Sequence, residues 1–231
     1  MVRELLLPAL VGLLPVLSLL AVLLALDSYK LVKLRVVVGM IAAGAGVALA
    51  SYWVNARTLD FVEVDFGAFT RYISPVTEEF LKALVIVALV RAHRVGFLVD
   101  AAIFGFAVGA GFAAVENLHY LRSFPEAGMG TWVVRGFGTA LMHGGATAIF
   151  GVMGLAMLDR ARGTGLAAFL PGLALAVVLH SAFNHLLQMP KIATLGIIVV
   201  LPPLLHAIFL ASERAVGRWL GQGFDADMEM L

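Results

Sequence analysis

Apolar residues in this chain gather into runs of about twenty separated by short polar breaks. The runs have neither the two-residue alternation of a half-buried strand nor the narrow apolar stripe of a soluble helix. A helix needs about 20 mostly apolar residues to cross about 30 Å of hydrocarbon, so each run predicts a membrane span. Seven are expected, over residues 5–26, 36–54, 74–90, 97–121, 131–158, 165–187 and 192–211, the third short and the fifth long. The apolar stretch of the first exceeds the 7–15 residues of a signal peptide's core, and Ala25-Leu26-Asp27 lacks a small-residue cleavage pattern, so this span is expected to be retained. The predicted fold class is all-α: a polytopic integral membrane protein of about seven transmembrane helices. No linker rich in Pro, Ser or charge divides 1–231, which reads as one domain.

Composition sharpens this picture. Of 231 residues 61% are hydrophobic and 13% charged, and the mean hydropathy is +0.99, against about 45–50% apolar and about 25% charged in a soluble domain. A soluble globular enzyme is excluded, and the lipid bilayer is the first partner implied. Sixteen basic against fifteen acidic residues leave no surplus for nucleic acid. The absence of cysteine removes disulfides, thiolate metal sites and cysteine nucleophiles. An extracytoplasmic amino terminus and a cytoplasmic carboxyl terminus put Lys30, Lys33, Arg35, Arg91, Arg94, Arg160, Arg162, Arg214 and Arg218 inside. Arg3, Arg57, Arg71, Arg122, Arg135 and Lys191 then lie outside or near the outer face, a balance that follows the positive-inside rule. Val62-Glu63-Val64-Asp65-Phe66 alternates in a strand-like or interfacial pattern, and a strand there would pair with an extended peptide by β-augmentation. The acidic tail, 222–231, is expected to be disordered. Gly105, Gly109 and Gly111, and likewise Gly136, Gly138, Gly144 and Gly145, suit close approach of helix backbones.

Candidate chemistry lies in the polar residues inside the spans. Each ionisable group at mid-membrane costs roughly 2.5–3.5 kcal/mol on insertion scales, so a cluster of them needs a reason. The third span carries Glu78, Glu79 and Lys82; the fourth Glu116 and Asn117; the fifth His143; the sixth His180, Asn184 and His185. With the orientation above, four helices deliver these groups to one layer in the outer half of the membrane, His143 deepest at about 18 Å along its span. Lys82 is three residues from Glu79 and four from Glu78, within reach of either carboxylate. His180 and Asn184 share a helix face and suit two donors aimed at one oxygen. Phe112, four residues before Glu116, is placed to wall that carboxylate from lipid. Arg135 either snorkels outward or approaches the carboxylates. His119 and His206 read as interfacial or packing residues, and Asp100 lies at the cytoplasmic entrance of its span.

An EExxK motif at Glu78, Glu79 and Lys82, FxxxE at Phe112–Glu116 continued by Asn117, an intramembrane His143, and HxxxN at His180–Asn184 together resemble the PrsW family of intramembrane proteases, distant relatives of the CAAX prenyl proteases. The resemblance covers 74 to about 188, the expected catalytic core. The prenyl-protease branch would carry EExxxR and FxxxH, whereas here Lys82 comes one position earlier and Glu116 stands in place of histidine. The resemblance implies a peptidase of the cell membrane that cuts a membrane-anchored protein substrate, such as an anti-sigma factor, near the extracytoplasmic face, as the first (site-1) cut of regulated intramembrane proteolysis.

Two mechanisms fit these residues. In one, Glu78 deprotonates water, Glu79 and Lys82 set its charge state, Glu116 or His143 holds the same water, and His180 with Asn184 stabilises the oxyanion. In the other, zinc is bound by Glu116, His143 and His180 with Glu78 as base, since a carboxylate and two imidazoles form a catalytic zinc set; no HExxH motif favours metal. A proton-coupled transporter would also carry membrane carboxylates and histidines, but it predicts matched Gly/Pro breaks in two repeated halves, and Pro171 with Pro202-Pro203 forms no such pair.

Overall fold

The computed structural model describes residues 2–27, 32–160 and 165–229, with side chains over 6–27, 32–159 and 165–217. Lys30 and Arg162 of the orientation argument and the last two residues of the tail lie outside the described residues. Seven long helical units follow in order: α1 (Val2–Leu26), α2 (Leu34–Phe61), α3 (Ser74–Arg91), α4 (Leu98–Ser123), α5 (129–160), α6 (Leu170–Leu186, led in by a short 3-10 turn) and α7 (Pro190–Glu229). They correspond one to one with the seven apolar runs. Six are long and apolar enough to cross a membrane. The remaining one, α3, has 18 residues and carries Glu78, Glu79, Lys82 and Arg91, so the charges that mark it chemically also dilute its hydropathy.

Among the described residues there is no strand. Where a strand was an option, 62–65 is irregular, and the Asp65 side chain accepts from Ala68 N at 2.9 Å to open a short turn of helix. A lone strand leaves both edges of its backbone unpaired, and among the described residues no second strand pairs with this segment. The last helix carries on to Glu229, so helical backbone occupies most of the segment where the sequence suggests disorder.

Burial identifies the centre of the bundle. The core window of α4 is 83% buried and that of α5 is 67% buried, against 22–28% for the other four spans. Small residues make this central pair. A Cβ on Gly105 would lie 2.5 Å from Thr147 O, and one on Gly109 would collide with His143 O, so α4 and α5 touch backbone to backbone. Gly111 turns instead to α2, where a Cβ would strike the Ile41 carbonyl, and Gly44 approaches Val108 in the same way. Peripheral helices expose large apolar side chains, such as Leu10 and Leu14 on α1 and Leu195 and Val199 on α7, as a lipid-facing surface requires.

Two π-turns interrupt the α-helical geometry. One, Phe69–Ile73, leads into α3; the other, Arg135–Ala140, lies inside α5. An i→i+5 turn spends more residues per turn than an α-helix, which shortens the advance of α5 before His143 and re-aims its side chains.

Candidate active site

The polar groups meet at one end of the bundle. Glu78, Glu79 and Lys82 sit in the first turns of α3, Glu116 near the end of α4, His143 just past the π-turn of α5, and His180 and Asn184 near the end of α6. Adjacent spans run in opposite directions, so the start of one and the end of the next share a level. The sequence expectation of one common layer is met in this respect.

Lys82, fully buried, chooses between its two carboxylates. Its Nζ donates to Glu79 Oε1 at 2.7 Å and to His143 Nδ1 at 2.8 Å, and lies 4.1 Å from the centre of the Phe112 ring. An ammonium has donors only, so His143 Nδ1 accepts and its Nε2–H donates to Glu116 Oε2 at 3.0 Å. Glu79 Oε1 also accepts from His180 Nδ1 at 2.8 Å. The result is a continuous network, Glu116–His143–Lys82–Glu79–His180, linking four helices. Phe112 covers Lys82 and packs on the His143 ring, 4.9 Å away.

Glu78 is arranged differently. Ser74 Oγ donates to its Oε1 at 2.5 Å, and Asn55 Nδ2 of α2 reaches the same oxygen at 3.4 Å and Ser74 Oγ at 3.0 Å. Oε2 faces His180 Nε2 at 3.9 Å. That gap is too long for a direct hydrogen bond and short enough for one shared water or ion. It opens on a cavity of about 420 Å³ lined by Glu78, Glu116, Arg135, His143, His180 and Asn184, among others.

The sequence-derived residues are thus brought together, with two differences in detail. The amide of Asn184 donates to Thr70 O at 2.9 Å, and Ser181 Oγ donates to Arg71 O at 2.6 Å, so α6 clamps the first π-turn and one N–H of Asn184 is engaged there. The metal-capable group among the described residues is Glu78, His143 and His180, whose ligand atoms lie within 4.8 Å of one another, with Glu78 where the sequence suggests Glu116. His185 bonds the Ser181 carbonyl at 2.7 Å and packs on Tyr72, and His206 is exposed, so both stand apart from the cluster. Asp100 accepts from Gly96 N and Phe97 N at 2.9 and 3.0 Å, an N-terminal cap of α4.

Of the two courses open to Arg135, it takes the inward one. Nε donates to Asn117 Oδ1 at 2.7 Å, Asn117 Nδ2 donates to Gly12 O of α1 at 2.7 Å, and the guanidinium lies 3.5 Å from the centre of the Tyr120 ring. Its Nη2 is 3.3 Å from Glu116 Oε2. Asn55, Ser74 and Tyr120 carried no signal in the sequence reading. Asn55 falls one residue past the predicted end of the second span, although a lone amide at the level of the carboxylates is a usable clue.

Buried acids and imidazoles thus lie beside an open cavity inside a bundle of helices of membrane-spanning length. The sequence profile described as PrsW family intramembrane metalloprotease matches residues 32–210, and the chain belongs to that family of proteases. No curated protein and no solved structure matches it.

Proposed function

We propose that the chain hydrolyses a peptide bond of a membrane-anchored protein in the cavity at Glu78, with residues 74–188 as its catalytic core. The observation that carries this is the 3.9 Å gap between Glu78 Oε2 and His180 Nε2, where a carboxylate oxygen and an imidazole nitrogen face the same open space. Ser74 and Asn55 hold Oε1 and leave Oε2 to take a proton from the attacking water. Glu79 accepts the hydrogen bond of His180 Nδ1–H, so in the neutral ring Nε2 faces that water with its lone pair. This supports a water-holding role for His180 in place of oxyanion donation, and the engaged amide of Asn184 supports a structural one.

A second reading follows from the grouping of Glu78, His143 and His180 and from the metalloprotease description of the family. The donor set fits a zinc-class ion chemically: one carboxylate, two imidazoles, and a carboxylate behind His180 that orients its ring. Ligand atoms about 2.0–2.1 Å from one tetrahedral ion lie about 3.4 Å apart, so the set, whose atoms lie within 4.8 Å of one another, would have to close by about an ångström or more. Both His143 nitrogens are engaged, Nδ1 by Lys82 and Nε2 by Glu116, so one of these bonds would have to give way to the ion. A bound ion would act as Lewis acid and lower the pKa of a bound water.

The orientation argument supports a cut near the extracytoplasmic face, and the cell membrane as location. An anti-sigma factor, cut at site 1, is the substrate class that the family resemblance supports. The test is cleavage of single-span proteins, including anti-sigma factors, by the full chain in lipid vesicles. Wild type is expected to release products whose masses place one cut near the outer boundary of the substrate span, and Glu78→Gln to release none. Cleavage by Glu78→Gln at the wild-type rate would overturn the proposal. Loss of activity after chelation, restored by zinc, would favour the second reading.

A further inference from the structure

The hydrolysis proposed above generates a negative oxygen, and the donors expected to receive it are partly engaged elsewhere: one N–H of Asn184 Nδ2 on Thr70 O, and His180 Nδ1 on Glu79. One strong donor on the cavity wall is not. Arg135 is 7% exposed, and its Nη2 makes no hydrogen bond although it is buried. The nearest anion, Glu116 Oε2 at 3.3 Å, pairs with it by charge and is itself hydrogen-bonded by His143 Nε2. The rest of the guanidinium is fixed on two sides, by Asn117 through Nε and by the face of Tyr120. Asn117 is in turn tied to the backbone of α1. A planar cation clamped at one edge and one face, with a buried N–H left unsatisfied beside a cavity, is a pre-organised anion donor. A buried unsatisfied donor costs about 1–3 kcal/mol, and an incoming oxygen removes that cost.

We infer that Arg135 is a catalytic residue whose Nη2–H binds the scissile carbonyl oxygen and stabilises the oxyanion formed when water adds. This rests on the hydrolytic reading of the Glu78 site. In the step, the water oxygen bonds to the carbonyl carbon, one water proton passes to Glu78, and the carbonyl π pair moves onto the oxygen facing Arg135. Collapse re-forms the C=O bond and breaks C–N, and the leaving nitrogen takes the proton from Glu78.

The experiment uses a peptide that wild type cuts and Glu78→Gln does not, so that the hydrolytic reading has already stood its own test. Arg135→Ala and Arg135→Lys are compared with wild type for kcat and KM, for inhibition by a phosphinic analogue of the cut peptide, and for rescue by guanidinium ion. Removal of one oxyanion donor elsewhere costs about 10²–10³ in kcat. A fall of that size is expected in Arg135→Ala, with KM little changed, the phosphinate weakened by a similar factor, and partial recovery of kcat in millimolar guanidinium. Arg135→Lys, which cannot keep both the Asn117 bond and the Tyr120 stack, is expected to recover little. Wild-type kcat in Arg135→Ala would overturn the inference. So would a loss of activity that leaves phosphinate affinity unchanged and that guanidinium fails to rescue, since that pattern belongs to a structural ion pair with Glu116.

Discussion

His180 and Glu79 meet Nδ1 to Oε1 at 2.8 Å, and that same carboxylate oxygen takes the ammonium of Lys82 at 2.7 Å. One buried oxygen therefore fixes the ring of α6 and the cation of α3 together. In the proposed reading Glu79 braces the site and Glu78 is its working carboxylate, although the two are adjacent in sequence and identical in chemistry.

Removing one member of a buried pair leaves the other uncompensated, at about 3–5 kcal/mol. Lys82→Met is expected to destabilise the protein by that order, since it strands Glu79 and frees His143 Nδ1, which Lys82 otherwise holds. Thermal unfolding in one fixed detergent measures it. Unfolding at the wild-type temperature would mean the pair contributes nothing.

Ser74 and Asn55 orient Glu78 rather than react. A hydrogen bond to a charged group contributes about 1.5–3 kcal/mol, so Ser74→Ala is expected to lower kcat/KM by roughly 10- to 100-fold. Circular dichroism should be unchanged, and Ser74→Thr, which keeps the hydroxyl, should recover part of the activity.

Backbone contact between α2 and α4 depends on glycine. Gly111→Ala drives a methyl group into the Ile41 carbonyl and is expected to cost about 1–3 kcal/mol or more, whereas Gly39→Ala enters open space. Equal melting temperatures for these two variants would contradict the packing described.

If an ion is bound, its ligands are Glu78, His143 and His180. Elemental analysis of the purified chain is then expected to give one zinc per chain, falling several-fold in His143→Ala and His180→Ala and holding in His119→Ala and His206→Ala. Zinc content independent of His143 and His180 would rule out this ligand set.

Much of this was legible in the sequence because a bilayer leaves few choices. Spans must satisfy their own backbone, which fixes helices and their number, and charges are admitted only where they are used, which singles out Glu78, Glu79, Lys82, Glu116, His143 and His180. What was not legible depends on rotation about helix axes. Spacing alone leaves Lys82 equidistant from two carboxylates, and only the position of His143 beside Glu79 decides between them. The π-turn at Arg135–Ala140 has no clear sequence signature, yet it begins at Arg135 and shortens the path to His143. The bond of Asn184 was hidden for a related reason: its acceptor is a backbone carbonyl, Thr70 O, in the other π-turn.

If Glu78 and His180 work on one water or one ion, their losses cannot add. The decisive measurement is therefore a double-mutant cycle on kcat/KM with Glu78→Gln, His180→Ala and the combined variant, on a peptide that wild type cleaves. The account predicts that the combined variant is no slower than the worse of the two single variants. Losses that multiply, as for two independent sites, would contradict it.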